Sequence, residues 1–268
     1  MYIAMIEIEI RPVDHNVKIG ELCGNKQANI TEDTLFIVDN VPVGFYIKSV
    51  EGKTKQLLNI ANKEFRSDNV PKAMMNRGPV GSKKDKLRRE KGGRALVQQY
   101  STVLGSMQPK AHMRRPYPSI SSVHQKNSAK QFIKAMMLLC RGAEPLMQKY
   151  LPEIYSKQKE VIKENVPKKW QFSELFTSSI SNYNISAPYH RDTGNLKDTV
   201  NCIFTKRFDS TGGYLNVPDY DVTIECGDNS LLCYPAWRNV HGVTPIQIQS
   251  SKGYRNSLIF YPLKGFGD

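Results

Sequence analysis

The stretch from residue 170 to the C-terminus constrains the fold more than any other part of the chain. It breaks into short strand-like runs near 179–189, 199–206, 213–217, 221–226, 230–235, 239–248 and 255–262. Turn-forming clusters stand between them: "STGG" at 210–213, "PDYD" at 218–221 and "CGDN" at 226–229. Gly, Pro, Asn and Asp reverse a chain because they tolerate or pre-set backbone angles that other residues resist. A short strand cannot bury its apolar face alone. Several of them at nearly regular spacing therefore point to a sandwich or barrel.

The rest of the chain adds strands and helices, giving an α+β class. Residues 1–50 read as β-structure: "YIAMIEIEI" alternates, "TLFIVDN" is a short apolar run, and "VPVGFYIKSV" follows. Helical spacing predicts a helix over 51–66, where Leu57, Leu58, Ala61 and Phe65 share a face. Residues 127–150 read as helical with a break near Gly142 or Pro145, and a second helix covers 152–166. Between 67 and 125 the periodicity fades. "NRGPVGSKKDKLRREKGGR" (76–94) reads as a basic loop with a helical turn inside it, and "MRRPYPSI" (113–120) as a proline-broken basic piece.

Charge separates these regions. The chain of 268 residues carries a formal +13, yet residues 51–170 alone hold +17 and the remainder −4. A basic block between nearly neutral ends is the electrostatic footprint of a polyanion-binding surface. A Lys-rich solvated helix face would give the same count. The five cysteines, Cys23, Cys140, Cys202, Cys226 and Cys233, are odd in number and form no C-x-x-C pair. A zinc ribbon and a disulfide framework are both disfavoured, and buried thiols in a reducing compartment are expected. Apolar runs such as "AMMLLC" are far shorter than a membrane span. The alternating N-terminus is unlike a secretion signal, so a cytoplasmic or nuclear, non-secreted protein is expected.

The motif that carries chemistry is "APYHRDTGN" (187–195), which puts His190 and Asp192 two apart after a strand-like run. Two apart on a strand means one face, where an imidazole and a carboxylate could share a metal. A solvated turn produces the same letters. A facial metal site needs a second imidazole, and His241 in "WRNVHGVTPI" lies in the same β-rich region. Arg255 follows 14 positions later inside "YRNSLIFY". A strand-borne guanidinium is costly to bury without an anion, and its planar fork suits a small dicarboxylate.

With those residues in order, 180–262 resemble the Fe(II)/2-oxoglutarate-dependent dioxygenases, and within them the TET/JBP branch that oxidises the 5-methyl group of pyrimidines in DNA. The resemblance implies a double-stranded β-helix (jelly roll) with flanking helices. It also implies Fe(II) held by His190, Asp192 and His241, with 2-oxoglutarate anchored by Arg255, and molecular oxygen as oxidant. Asn195, five after His190, stands where the family reads the flipped pyrimidine, and Tyr261, six after Arg255, where it places an aromatic ring against that base. Leu263 departs from the pattern, occupying a position where several members carry a base-contacting His, and there is no cysteine-rich zinc-binding region.

The implied partner is double-stranded DNA with a flipped-out 5-methylpyrimidine, its phosphates met by Lys83, Lys84, Arg88, Arg89, Arg114 and Arg115. No membrane and no obligate protein partner are implied. Residues 1–268 would form a single catalytic domain: N-terminal strands and helix (1–66), a basic loop and helical region (67–170), and the metal-binding jelly-roll core (171–268). The expected reaction is 5-methylcytosine to 5-hydroxymethylcytosine, with further oxidation open. Thymine hydroxylation, a protein-directed oxygenase and a DNA-binding module with an inactive cupin-like site are the alternatives.

Overall fold

The computed structural model describes residues 5–74, 98–110 and 115–266. In chain order its elements are β1 (Ile6–Glu9), β2 (Thr34–Val38), β3 (Val41–Ile47), α1 (Gly52–Arg66), β4 (Ala73–Met74), β5 (Tyr100–Met107), β6 (Ser119–Ile120), α2 (Lys130–Tyr150) and α3 (Pro152–Asn165). Then follow β7 (Ser178–Tyr183), β8 (Ala187–His190), β9 (Asn201–Phe208), β10 (Ser210–Gly212), β11 (Leu215–Val217), β12 (Val222–Ile224), β13 (Ser230–Tyr234), β14 (His241–Val243), β15 (Ile246–Ile248) and β16 (Tyr254–Tyr261). The strands form a large sheet of order β1-β2-β3-β13-β9-β16-β7-β5-β4, with β6 paired to β5, and a small sheet of order β12-β11-β14-β8; β10 and β15 pair separately. The pairing is antiparallel except between β1 and β2. This is the jelly-roll arrangement, two facing sheets with helices on the outer face of the larger one.

The period of two in the central strands builds both layers at once. Phe45, Ile47, Cys202, Phe204, Leu231, Cys233, Leu258 and Phe260 face the helices and join Leu58, Phe65, Phe132, Met136 and Leu139 in one buried cluster. Their strand neighbours Tyr46, Ile203, Leu232 and Tyr234 face the small sheet and pack with Leu215, Val217, Val222 and Ile224. The large sheet is thus buried on both faces. On β16 the alternation puts Leu258 and Phe260 in the helix-side core and turns Arg255, Ser257, Ile259 and Tyr261 toward the space between the sheets. That space is the site.

Several sequence expectations change. The helix over 127–150 does not break: α2 runs from Lys130 through Pro145 to Tyr150. Pro145 is exposed, so the carbonyl one turn back that loses its N–H partner lies on the wet side, while buried Ala143 and Met147 anchor the turn. The run 179–189 is two strands in different sheets, parted at Asn184, which adopts φ of 55°. The run 239–248 likewise divides into β14 and β15, and part of the "STGG" turn is strand β10. A strand absent from the expectations, β5, sits between β7 and β4. Among the described residues no helix is long and apolar enough to cross a membrane.

Candidate active site

The small sheet brings the two histidines together. β8 and β14 pair antiparallel with His190 directly opposite His241, and their ring centroids lie 4.3 Å apart. Asp192 is not on the strand, as the two-residue spacing suggested, but on the turn just after β8. It still faces the histidines because hydrogen bonds pin the turn: Asp192 N–H donates to Ala236 O at 3.0 Å, and Asn195 N–H donates to Asp192 O at 2.9 Å. Asp192 Oδ1 lies 3.5 Å from His190 Nε2 and 4.0 Å from His241 Nε2.

Both rings are held in one tautomer. His190 Nδ1 lies 2.8 Å from Pro188 O, and His241 Nδ1 lies 3.0 Å from Asn239 O. A carbonyl oxygen only accepts, so each Nδ1 carries a hydrogen, and in the neutral ring Nε2 is then the atom that presents a lone pair. Burial, with His190 nearby, pushes the His241 pKa down to about 4, keeping the ring neutral as a metal ligand must be. Burial opposes ionisation of Asp192, but the two histidines and the Asn201 amide outweigh it and hold the carboxyl below its ordinary value. Two imidazoles and an ionised carboxylate, with one ligand atom each inside a 4.8 Å span, could hold a divalent metal ion.

Arg255 is 3% exposed, on the inner face of β16. Among the described residues no carboxylate lies within 4.0 Å of it, and its Nε meets no hydrogen-bond partner. Its polar neighbour is the Cys226 thiol, and the other charge nearby is a cation, Arg207; burial lowers its pKa from the ordinary guanidinium value. Gly213 makes room for its stem, since a Cβ there would stand 2.4 Å from Arg255 Cδ. A buried, carboxylate-free guanidinium is built for an anionic ligand.

Asn195 and Tyr261 reach the same space. The segment around Asn195 is tied to the chain after β16 by Leu196 N–H to Pro262 O at 2.8 Å and Lys264 N–H to Gly194 O at 3.0 Å. His190, Asp192, His241, Arg255, Asn195 and Tyr261 consequently line one cavity of about 430 Å³, as does Leu263. Among the lining residues that sequence reasoning missed are Asn201, Tyr234 and Lys110. Tyr234 stands edge-on to His241, with centroids 5.3 Å apart. Asn201 Nδ2 donates to Asp192 Oδ2 at 2.8 Å, and Asn195 Nδ2 donates to Asn201 Oδ1 at 2.7 Å. Of the basic residues expected to meet phosphate, Lys83, Lys84, Arg88, Arg89 and Arg114 lie outside the described residues. Arg115 is described, pairs with Lys110 at the cavity and donates to Gln108 O at 3.0 Å.

Residues 87–264 match the Tet_JBP family model, the oxygenase domain of the 2OGFeDO superfamily. The chain belongs to this family. It is therefore an oxygenase domain whose cofactors are Fe(II), 2-oxoglutarate and molecular oxygen, in keeping with the donor set and the buried arginine. No curated protein matches the chain. Among solved structures, NgTET1 in complex with 5mC DNA is similar at 15% identity and a TM-score of 0.59, over 93% of this chain and 83% of that one. An oxidoreductase of the 2OG-Fe(II) oxygenase family from Burkholderia pseudomallei is 9% identical with a TM-score of 0.45, over 81% of this chain and 84% of that one. At such identities the likeness to NgTET1 speaks to the fold.

Proposed function

We propose that this chain, acting as a single catalytic domain, hydroxylates the 5-methyl group of 5-methylcytosine in DNA. The observation that carries the reading is the shared cavity, in which the candidate metal ligands, the buried Arg255, the amide of Asn195 and the ring of Tyr261 face one another. His190, Asp192 and His241 would hold Fe(II), and Arg255 the far carboxylate of 2-oxoglutarate. With oxygen, the bound iron and its co-substrate supply the oxidising power for a C–H hydroxylation. The chain's own contribution is to orient the methyl group and keep water off it.

A base within a duplex cannot reach a cavity between two sheets, so it must be flipped out. Tyr261 then supplies a stacking face, and Leu263 and Ile259 an apolar wall. Asn195 decides between cytosine and thymine. A carboxylate only accepts, so Asn201 must turn its NH2 to Asp192 and its oxygen to Asn195. Asn195 answers with its own NH2, which leaves its Oδ1 as the atom without a hydrogen bond in this chain of amides. That acceptor suits the 4-amino group of cytosine, whereas the 4-carbonyl of thymine would have to turn to the second N–H of the Asn195 NH2. Lys110 and the +17 block would hold the phosphates, with salt-dependent affinity and little sequence choice.

The test is to incubate the protein with Fe(II), 2-oxoglutarate and duplexes carrying 5-methylcytosine or only unmodified bases, then digest them to nucleosides for mass spectrometry. The reading expects 5-hydroxymethylcytosine that requires both iron and co-substrate. 5-Hydroxymethyluracil from the unmodified duplex would overturn the cytosine assignment.

A further inference from the structure

Two amides link the base side of the cavity to the metal side, and one of them, Asn201, holds the ligand carboxylate. Asp192 has two oxygens, and only Oδ1 lies toward the histidines; Oδ2 accepts from Asn201. Asn201 is the first residue of β9, 2% exposed, and its backbone is fixed in the centre of the large sheet by pairing opposite Tyr234. Asp192, by contrast, sits on a turn and has no strand to set its side-chain rotation. The rigid element thus grips the turn-borne ligand through one amide.

From this geometry we infer that Asn201 is a positioning residue, which sets the rotation of the Asp192 carboxylate for metal binding and, through its oxygen, the polarity of the Asn195 amide. Metal affinity and the choice of base are coupled through a single side chain. The first half of this inference stands on the metal site alone; the second rests on the function proposed above. Carboxylate ligands are held by such outer hydrogen bonds, whose loss typically weakens metal binding about 10- to 100-fold. Freed from Asn201, the Asn195 amide can rotate and offer either its oxygen or its nitrogen to a base.

The experiment titrates Co(II) into metal-free protein, following the visible d–d absorption, for the wild type, Asn201→Leu and Cys202→Ala. Leucine nearly matches asparagine in shape and removes both hydrogen bonds. Cys202 is the next residue on the same strand but faces the helix-side core, so its variant loosens the fold without touching the amide chain. Asn201→Leu is expected to weaken Co(II) binding about 10- to 100-fold and to shift the absorption band, while Cys202→Ala lowers the melting temperature and keeps both. Co(II) affinity within threefold of wild type in Asn201→Leu would overturn the inference. So would an equal loss of affinity in Cys202→Ala, which would make the effect one of fold stability. No DNA enters this measurement, so its failure and the failure of the proposed substrate are separately visible. With DNA present, Asn201→Leu is expected to raise the ratio of oxidised thymine to oxidised 5-methylcytosine. An unchanged ratio would remove the coupling to the base.

Discussion

Replacing Arg255 with methionine separates binding from folding in a way few substitutions can. The guanidinium is buried at 3% exposure and has no carboxylate within 4.0 Å among the described residues, so no ion pair is lost. Methionine keeps most of the apolar stem beside Gly213 and removes a charge whose burial is unfavourable. Stability of the protein without co-substrate is therefore expected to stay level or rise, by up to about 4 kcal/mol. Truncating one partner of a buried charge pair costs a ligand about 2–5 kcal/mol, which is about 30-fold to a few thousand-fold in affinity. The assay is calorimetric titration of 2-oxoglutarate into the Ni(II)-loaded protein, which binds without turning over, alongside thermal unfolding of the free protein. Binding of 2-oxoglutarate within threefold of wild type would refute the assignment of Arg255. A loss of more than about 3 kcal/mol of stability would refute the claim that its charge is not paired within the fold.

Other expectations follow from the same cavity and its frame. Gly213→Ala places a Cβ 2.4 Å from Arg255 Cδ at a backbone φ of +68°, so it should raise the KM for 2-oxoglutarate about tenfold or more; an unchanged KM in steady-state kinetics would contradict the packing. Tyr261→Ala removes the stacking face, worth about 1–3 kcal/mol per base. DNA binding measured by fluorescence anisotropy should weaken, while 2-oxoglutarate consumed without DNA stays near wild type. Burial holds the His124 pKa below its ordinary value, and its Nε2 accepts from Gly105 N–H at 2.8 Å. The unfolded chain gains that proton first, near pH 6.5, so the contribution of His124 is fully present above that pH and is lost below it, at up to about 1.4 kcal/mol per pH unit, and His241, held down to about 4, adds a loss of the same sign. Urea unfolding at pH 7.5 and 5.5 should show the drop, and His124→Gln should reduce it.

How much of this was legible beforehand depends on where each signal resides. The C-terminal strands were visible because apolar runs alternate with turn residues, and within a strand the period of two explains why Arg255 and Tyr261, six apart on β16, share a face. β5 escaped notice because most of its residues are buried on both faces, several are Ser or Thr, and Gly105 at φ of +78° interrupts it. Its strand character comes from its neighbours, not from its own pattern. Pro145 misled for the opposite reason. A local helix-breaker was overridden by the buried residues flanking it. At the site, the order of His190, Asp192, His241 and Arg255 was readable as a motif. Asn201 was not, since an asparagine opening a strand has no special spacing and gains its meaning only from the carboxylate 2.8 Å away.

If metal, co-substrate and methylated base meet in one cavity, their turnover must be coupled. Succinate and 5-hydroxymethylcytosine are therefore to be quantified together during reaction with an excess of duplex carrying 5-methylcytosine. The expected result is a ratio near one that requires Fe(II), with both products abolished in His241→Ala. Succinate formed at the same rate with and without the methylated duplex, and no 5-hydroxymethylcytosine beside it, would contradict the shared cavity.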